Sequence, residues 1–212
     1  MKVIAINGSP KKEGNTFHAL SIIGEQLKAN DIDFEILHVG NKMIHGCIAC
    51  SKCAETKDKR CSGVPKDDFN NINQQIYQAD GILLGSPVYY AGIAGTMKSF
   101  LDRLFYVSGA NGNFFRQKVG AAVVAVRRTG GSSTFDCLNH YLNITEMIIA
   151  TSNYWNVIHG RAPGEALQDA EGVQCMQVLG RNMAWLLKMK EATKDTIEPP
   201  QKTTKVVTHF VR

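Results

Sequence analysis

Residues 2–20 read KVIAINGSPKKEGNTFHAL, an apolar run followed by a polar loop and an amphipathic segment. The run Lys2–Asn7 is rich in β-branched residues and predicts a strand that breaks at Gly8. Residues 16–29 predict a helix, because their apolar side chains recur at helical spacing. These side chains are Phe17, Leu20, Ile23 and Leu27. The segment therefore predicts a strand, a loop and a helix, which is the opening unit of an α/β fold.

The same alternation continues along the chain. Apolar runs predict further strands at residues 33–39, 81–84, 119–126 and 154–158. Helices are predicted after the capping pair Asp67-Asp68 (apolar face Phe69, Ile72, Ile76, Tyr77), around 97–105, and over 133–149 and 169–190. Parallel strands need crossover connections, and both faces of such a sheet must be covered. The sequence therefore predicts a five-stranded parallel sheet between two layers of helices, a three-layer αβα fold.

Size and composition are those of an ordinary globular protein. The chain has 212 residues, 44% of them hydrophobic and 20% charged, which favours one folded domain and excludes extensive disorder. The net charge of +5 comes without a long basic run, so nucleic acid is not implied as a partner. The first apolar run is too short for a signal peptide and the longest, residues 119–126, is too short for a bilayer. We expect a soluble, cytoplasmic protein with no membrane partner.

The C-terminal residues differ from the rest of the chain. We expect residues 1–190 to form a single domain, with a cysteine-rich loop at 45–66 inserted after the second strand. Residues 191–212 form an extension in which Pro199-Pro200 ends regular structure. Its last residues, including Val206, Val207 and Phe210, are too apolar for a free tail, which favours docking on the body or on another subunit.

Ligands of open parallel sheets bind beyond the carboxyl ends of the strands. The loop after the first strand, residues 7–16, is polar and delivers hydroxyls and backbone N–H groups to a helix N-terminus, which suits a phosphate. It lacks the lysine and spacing of the nucleoside-triphosphate loop and the G-x-G-x-x-G dinucleotide pattern. One terminal phosphate, as in FMN, is the interpretation that remains, and a polar loop that merely caps a helix is the alternative.

Two further loops follow strands at the same edge. Residues 85–92, GSPVYYAG, supply two aromatic rings and free backbone N–H groups, which suit a flat, hydrogen-bonding ring system. Residues 127–133, RRTGGSS, combine cations, glycines and hydroxyls near the same position. For either tyrosine alone, packing on the next helix is an equal alternative. Trp155, on the predicted fifth strand, either lies in the core or borders the pocket.

The cysteine spacing is the sharpest local feature. Four of the six cysteines follow the pattern Cys-x2-Cys-x2-Cys-x7-Cys, at Cys47, Cys50, Cys53 and Cys61. Zinc sites usually pair two close ligands with a distant pair, so a run of three favours a [4Fe-4S] cluster over tetrahedral zinc. Another metal, redox-active thiols and plain thiols remain open as alternatives. Cys137 and Cys175, on predicted helices, are simplest as small core residues.

Several motifs together carry a family resemblance over the first ~105 residues. They are N-G-S-P-x4-N-T from Asn7, the cysteine pattern, Asp67-Asp68, Ala79-Asp80-Gly81, Gly85-Ser86-Pro87-Val88-Tyr89, and M-K-S-F-L-D-R from Met97. In this order they resemble the NADPH-dependent FMN reductase and iron-sulfur flavoprotein branch of the flavodoxin-like superfamily. Residues 154–156, 169–172 and 210–212 are similar to members of the same branch. The resemblance implies a doubly wound, flavodoxin-like sheet of order 2-1-3-4-5 and a homodimer or homotetramer.

The resemblance also implies the site. Ser9, Asn15 and Thr16 would hold the FMN phosphate, with Lys11 adding charge. Pro87, Val88, Tyr89 and Tyr90 would line the isoalloxazine ring, and Arg127, Gly130 and Gly131 would lie at its other edge. No residue is assigned as an acid or base catalyst, since the flavin carries the chemistry.

The predicted function is an FMN-dependent oxidoreductase with NAD(P)H as co-substrate, which passes electrons to a quinone-like, flavin or protein acceptor. The first alternative is an iron-sulfur flavoprotein with FMN and a [4Fe-4S] cluster, acting as an electron carrier for a redox partner protein. The second is a flavin-binding module without turnover.

Overall fold

The computed structural model describes residues 1–64 and 66–210. Its helices are α1 (Asn15–Lys28), α2 (Lys52–Thr56), α3 (Phe69–Tyr77), α4 (Gly95–Ala110), α5 (Gly131–Ile144) and α6 (Ala170–Thr193). Its strands are β1 (Lys2–Asn7), β2 (Asp33–His38), β3 (Gly81–Tyr89), β4 (Gly92–Ile93), β5 (Val119–Val126), β6 (Ile148–Ile149) and β7 (Val157–His159). No helix within the described ranges is long and apolar enough to cross a membrane.

The sheet confirms the predicted fold class and strand order. Its path is β2-β1-β3-β5-β6, and every neighbouring pair on this path is parallel. The strand count is seven rather than five. One extra strand is β4, which forms a short antiparallel hairpin with the end of β3. The other is β6, which lies at residues predicted as the end of the helix 133–149; that helix, α5, ends at Ile144 instead. The predicted fifth strand corresponds to β7, and β6 and β7 both pair with β5.

This interrupted edge corrects the prediction for residues 154–158. The strand β6 pairs with Val119 and Gly120 at the start of β5, whereas β7 pairs with residues 124–126 at its end. The chain leaves the sheet between these two pieces. Tyr154 and Trp155 lie in this excursion and are 61% and 56% exposed, so the core interpretation of Trp155 is wrong.

The core lies in two layers, one on each face of the sheet. Along β1, Val3 and Ala5 face the layer built on α1 and α6, whereas Ile4 and Ile6 face the layer built on α3, α4 and α5. This is the two-residue alternation of an extended strand, with both sides apolar because both are covered. The pattern explains why the buried strands read as continuous apolar runs.

The C-terminal residues run along the body after α6 ends at Thr193. The guanidinium of Arg116 donates to the backbone oxygen of Pro200 at 2.9 Å, and Lys202 Nζ donates to that of Gly112 at 3.2 Å. Beyond this point residues 203–210 are exposed and without regular structure. Val211 and Arg212, which carried part of the family resemblance, lie outside the described residues.

Candidate active site

The carboxyl ends of β1, β3, β5 and β7 surround a cavity of about 210 Å³. Its wall consists of Ser9, Pro10, Lys11, Gly14, Asn15, Thr16, Pro87, Val88, Tyr89, Ala125, Arg127, Gly160, Arg161 and Pro163. Eight of the eleven predicted cofactor-binding residues are in this wall: Ser9, Lys11, Asn15, Thr16, Pro87, Val88, Tyr89 and Arg127. The other three, Tyr90, Gly130 and Gly131, lie elsewhere.

The first loop is shaped by its own side chains. Asn7 Oδ1 accepts from the backbone N–H of Ser9 at 3.0 Å, and Asn7 Nδ2 donates to the backbone oxygen of Lys12 at 3.0 Å. Ser9 Oγ accepts from the N–H of Lys11 at 3.2 Å. Such local bonds replace a regular ladder and fix the loop. Asn7 was not predicted as a site residue, although an asparagine at the end of a strand is a common turn former.

The start of α1 is open toward the cavity. Among the described residues no side chain caps its first turn, and that turn contains no acidic residue. The Thr16 hydroxyl is buried and has no hydrogen-bond partner in the described part of the chain. A buried hydroxyl without a partner is costly, and a helix N-terminus attracts anions. This end of the cavity is therefore built for an anionic group with oxygen acceptors.

The charges around the cavity agree with that conclusion. Lys11, Arg127 and Arg161 are in its wall, and none of the described residues in this wall is acidic. A phosphate monoester at the start of α1 would meet the open turn, the Thr16 hydroxyl and the cations of Lys11 and Arg161. The residues present thus fit the phosphate end of FMN.

The loop after β7 is part of the site and was not predicted. Asn15 Oδ1 accepts from the N–H groups of Gly164 and Ala166, at 3.0 and 3.2 Å, which ties this loop to the start of α1. The Glu165 carboxylate accepts from the N–H groups of Ala162 and Arg161, and these bonds lower the pKa of Glu165. Arg161 lies two residues after the end of β7, at the carboxyl edge of the sheet. This position could have identified it as a site residue from the sequence.

The end of β3 supplies an aromatic edge. Pro87, Val88 and Tyr89 line the cavity, and Tyr89 is half-exposed. The hairpin that follows has left-handed backbone at Tyr90 and Ala91, with φ of 49° and 58°. Non-glycine residues rarely adopt this conformation. Tyr90 sits at the tip, fully exposed and outside the cavity wall.

The loop after β5 divides between two cavities. Arg127 lines the first, whereas Gly130 and Gly131 line a second cavity of about 380 Å³, together with Trp155 and His159. Gly130 has φ of 85°, and a Cβ there would lie 2.9 Å from the Cα of Ala91. Gly130 therefore serves close packing on the neighbouring hairpin, and Gly131 serves close packing on β7, since a Cβ there would lie 2.8 Å from Cγ1 of Val157. The predicted contact of both glycines with the cofactor remains a prediction.

The four clustered cysteines line one small cavity beside α4. Cys47 and Cys50 are exposed, Cys61 is half-buried and Cys53 is buried. Of the other two cysteines, Cys175 is buried as predicted, whereas Cys137 lies on the exposed side of α5, so its predicted place in the core is wrong. Burial, followed by the nearby Cys61 thiol, raises the pKa of Cys53. Among the described residues, this wall contains no histidine, aspartate or glutamate. Four thiol donors without carboxylates are the donor set of iron–sulfur sites.

The cysteine cavity is too small to hold a cluster as it stands. It measures about 10 Å³, and nowhere in residues 1–64 and 66–210 are three or more metal-binding side chains gathered around one ion position. The segment between the first cysteines has left-handed backbone at Ala49 and Ser51, with φ of 52° and 60°. A cluster therefore needs this exposed, strained segment to move outward, although the donor chemistry fits it.

The body holds two of the four cysteines by their backbones. Asn111 Nδ2 donates to the oxygen of Cys53 at 3.2 Å. Asn70 bonds Cys61 twice, accepting from its N–H at 2.8 Å and donating to its oxygen at 3.0 Å. The second half of the cysteine segment is thus fixed, while the first half is held by few bonds.

Helix α4 contacts both regions. A Cβ on Gly8, in the phosphate loop, would lie 2.6 Å from Cβ of Met97, in the first turn of α4. Arg103, two turns further along, lines the cysteine cavity. At 1.5 Å per residue these positions are about 9 Å apart along the helix axis. One rigid element therefore connects the two candidate sites.

Comparisons with known proteins agree with this geometry. The model of the NADPH-dependent FMN reductase family matches residues 1–162. An iron-sulfur flavoprotein of Methanocaldococcus jannaschii is 34% identical over 200 residues, covering 89% of this chain and 98% of its own. An iron-sulfur flavoprotein of Methanosarcina thermophila is 26% identical over 197 residues, covering 92% and 100%.

Among solved structures, RosB has a TM-score of 0.72 at 13% identity, covering 100% of this chain and 94% of its own. A flavodoxin from the domain Archaea has a TM-score of 0.58 at 17% identity, covering 89% and 99%. At these identities the likeness supports the fold alone, and that fold is flavodoxin-like.

Proposed function

The chain belongs to the NADPH-dependent FMN reductase family and is an FMN-dependent oxidoreductase, and from this premise we propose that its electrons come from NAD(P)H and pass to a quinone-like, flavin or protein acceptor. The observation that carries the site assignment is the buried hydroxyl of Thr16 at the open N-terminus of α1, which has no hydrogen-bond partner among the described residues. When bound, FMN supplies the chemistry, because it takes up a hydride and releases electrons to a second acceptor.

The protein's own residues bind and orient. The Thr16 hydroxyl and the first N–H groups of α1 would hold the phosphate, and Lys11 and Arg161 would offset its charge. Pro87, Val88 and Tyr89 would border the ring, and Arg127, at the end of β5, would supply a cation near it. A cation near the ring favours an anionic reduced flavin. No side chain is assigned to proton transfer.

An iron-sulfur flavoprotein that serves as an electron carrier is the second candidate. The observation that favours it is the single cavity lined by Cys47, Cys50, Cys53 and Cys61, and two full-length relatives carry that name. These four thiolates would hold a [4Fe-4S] cluster, which adds one-electron capacity to the two-electron chemistry of a flavin.

We also propose the domain bounds and the oligomeric state, from membership of the family. Residues 1–190 act as one FMN-binding domain with the cysteine loop 45–66, residues 191–212 act as an extension, and the cytoplasmic protein works as a homodimer or homotetramer. The exposed pair Tyr154 and Trp155, with ring centroids 4.7 Å apart, is a surface that a second copy would cover.

The test is anaerobic rapid mixing of the FMN-loaded protein with NADPH or NADH. Bleaching of the visible flavin band reports hydride transfer, and ferricyanide added afterwards reports electron release. The control is the Thr16→Glu variant, which places a carboxylate against the phosphate and should carry no flavin. We expect bleaching with at least one nucleotide, and two ferricyanide ions reduced per nucleotide consumed.

Iron and acid-labile sulfide measured on the same sample separate the candidates. Roughly four irons per chain would favour the electron carrier. Flavin without iron, even after anaerobic reconstitution, would favour the reductase. A flavin that dithionite reduces but neither nucleotide reduces would contradict the NAD(P)H assignment and favour a flavin-binding module fed by a partner.

A further inference from the structure

Arg103 is a buried cation in the wall of the cysteine cavity. Its side chain is 1% exposed, and it lines the cavity with all four clustered cysteines. Arginine is rarely buried to this degree without several partners. The surroundings of Nη1 and of Nε therefore indicate what this residue does.

One part of the guanidinium is fully used. Nη1 donates to Asp67 Oδ2 at 2.5 Å and to the backbone oxygen of His45 at 3.2 Å. Asp67 also accepts from the N–H of His45 at 3.2 Å. The ion pair thus joins the two ends of the cysteine loop, one just before Cys47 and the other after Cys61. This is a structural role, and it accounts for Nη1.

The other part is not accounted for by the fold. Arg103 Nε is buried and has no hydrogen-bond partner in the described part of the chain. The face of the guanidinium lies over the ring of Phe69, with Cζ 4.1 Å from the centroid, but that contact does not satisfy an in-plane N–H donor. A buried charged group with an unused donor is costly. Since Arg103 lines the cysteine cavity, an acceptor bound in that cavity is the candidate partner for Nε.

We propose that Arg103 is a positioning residue for an iron–sulfur cluster held by Cys47, Cys50, Cys53 and Cys61, donating from Nε to a cluster sulfur and raising the reduction potential of the cluster. The inference rests on the second candidate function. Reduction adds one electron and therefore one negative charge to the cluster. A buried cation stabilises the more negative form, and N–H···S hydrogen bonds act in the same direction.

Asp67, the ion-pair partner of Arg103, allows an effect of charge on the cluster to be separated from an effect of loop closure. It is 7% exposed in its side chain and contacts the same guanidinium, but its charge has the opposite sign. Loss of the Arg103 charge should lower the cluster potential, whereas loss of the Asp67 charge should raise it. If the pair served only to close the loop, both changes would break the same bond and have the same effect.

The experiment uses the full chain, loaded with FMN and reconstituted anaerobically with ferrous iron and sulfide. The cluster is titrated potentiometrically and followed by electron paramagnetic resonance in wild type, Arg103→Met, Arg103→Lys and Asp67→Asn. Arg181→Lys, on the exposed side of α6, is the matched control. Flavin content and thermal unfolding check that each variant folds, and Arg103→Lys keeps a cation beside Asp67 if Arg103→Met does not fold.

At the wild-type midpoint we expect the ratio of reduced to oxidised cluster to fall about tenfold in Arg103→Met, about 59 mV for a one-electron couple. Arg103→Lys should shift the ratio less in the same direction, Asp67→Asn should shift it the opposite way, and Arg181→Lys should leave it unchanged. Loss of iron from folded Arg103 variants, with iron retained in Asp67→Asn, would also support the proposal.

Unchanged midpoints in the Arg103 variants would overturn the role of Arg103 while leaving the cluster in place. Equal shifts of the midpoint potential, or equal loss of iron, in the Arg103 and Asp67 variants would show that the ion pair only closes the loop. That result would also overturn the proposed role of Arg103. Failure of the wild-type protein to bind iron would instead remove the cluster itself, and the inference with it.

Discussion

The side-chain oxygen of Asn15 accepts a hydrogen bond from the backbone N–H of Gly164 at 3.0 Å, across 149 residues of sequence. The same oxygen accepts from Ala166, so one amide joins the phosphate loop to the loop after β7. Asn15 was predicted to bind the phosphate directly. In the structure its side-chain oxygen positions the loop that carries Arg161, and the contact of Asn15 with the phosphate remains a prediction.

Substitution of Asn15 separates these two roles. Asn15→Ala leaves two N–H groups without their acceptor and should lower the free energy of unfolding by about 1–3 kcal/mol. Asn15→Asp keeps an acceptor but brings a negative charge to the phosphate end, so it should keep stability and weaken FMN binding about tenfold or more. Urea unfolding and flavin fluorescence titration measure the two effects. Equal FMN affinity in both variants and wild type would contradict the assignment.

Thr16 should show a trade between stability and binding. Thr16→Val replaces a buried hydroxyl without a partner by a methyl group, so the flavin-free protein should gain about 1 kcal/mol of unfolding free energy. FMN affinity should fall about tenfold, because one charge-assisted hydrogen bond is lost. The matched control is Thr134→Val, since the Thr134 hydroxyl donates to the oxygen of Gly130 at 2.8 Å. That variant should lose stability, and a gain there would undermine the reasoning.

The two adjacent tyrosines should behave differently. Tyr89→Ala removes part of the cavity wall and should weaken FMN binding. Tyr90→Gly removes a fully exposed ring from a left-handed position, so it should change FMN affinity little and raise stability by about 1 kcal/mol. Fluorescence titration and thermal unfolding of both variants check this. A large loss of affinity in Tyr90→Gly would restore its predicted place beside the ring.

The clustered cysteines should be distinguishable from the others by iron content. Cys53→Ser removes a buried thiol from the cysteine cavity, so iron and sulfide per chain should fall while FMN is retained. Cys137→Ser is the control, because Cys137 is exposed on α5 away from that cavity. Iron that survives in Cys53→Ser would remove Cys53 from the ligand set.

Asp169 should make the protein sensitive to acid. Burial acts to raise its pKa, but hydrogen bonds from the N–H groups of Gly172 and His159 and from the His159 ring lower the pKa of Asp169 below its ordinary value. A carboxylate with a lowered pKa stabilises the fold above its unfolded pKa, about 3.9, and loses that contribution as pH falls through the folded pKa.

Asp169→Asn should therefore be less stable than wild type at neutral pH, and the difference should shrink below about pH 4. Urea unfolding between about pH 2.5 and 7 provides the measurement. A difference that stays constant over this range would show that the Asp169 charge contributes nothing.

Much of the fold was accessible from the sequence because it rests on local periodicity. Val3, Ile4, Ala5 and Ile6 are apolar on both faces of β1, and a strand of this kind has to lie inside a covered parallel sheet. The helical spacing of Leu20, Ile23 and Leu27 was equally informative, since all three are buried.

Features that depend on distant residues were not accessible. Trp155 has a large apolar side chain of the kind that usually lies in the core, but the segment between β6 and β7 leaves the sheet and places it at the surface. Arg161 and Arg103 acquire their surroundings only when segments far apart in sequence meet. No local sequence pattern shows that Arg103 will form an ion pair with Asp67, or that the side-chain oxygen of Asn15 will accept a hydrogen bond from Gly164.

The shared helix α4 has a mechanical consequence. Met97 touches the phosphate loop and Arg103 touches the cysteine loop, so the helical pitch sets both the spacing and the relative angle of the two sites. Inserting one alanine between them would turn one site by about 100° relative to the other and lengthen the separation by only about 1.5 Å. A change in the number of residues between Met97 and Arg103 would therefore rotate one site relative to the other, whereas a change in the length of either loop would leave the helix that connects them unaltered.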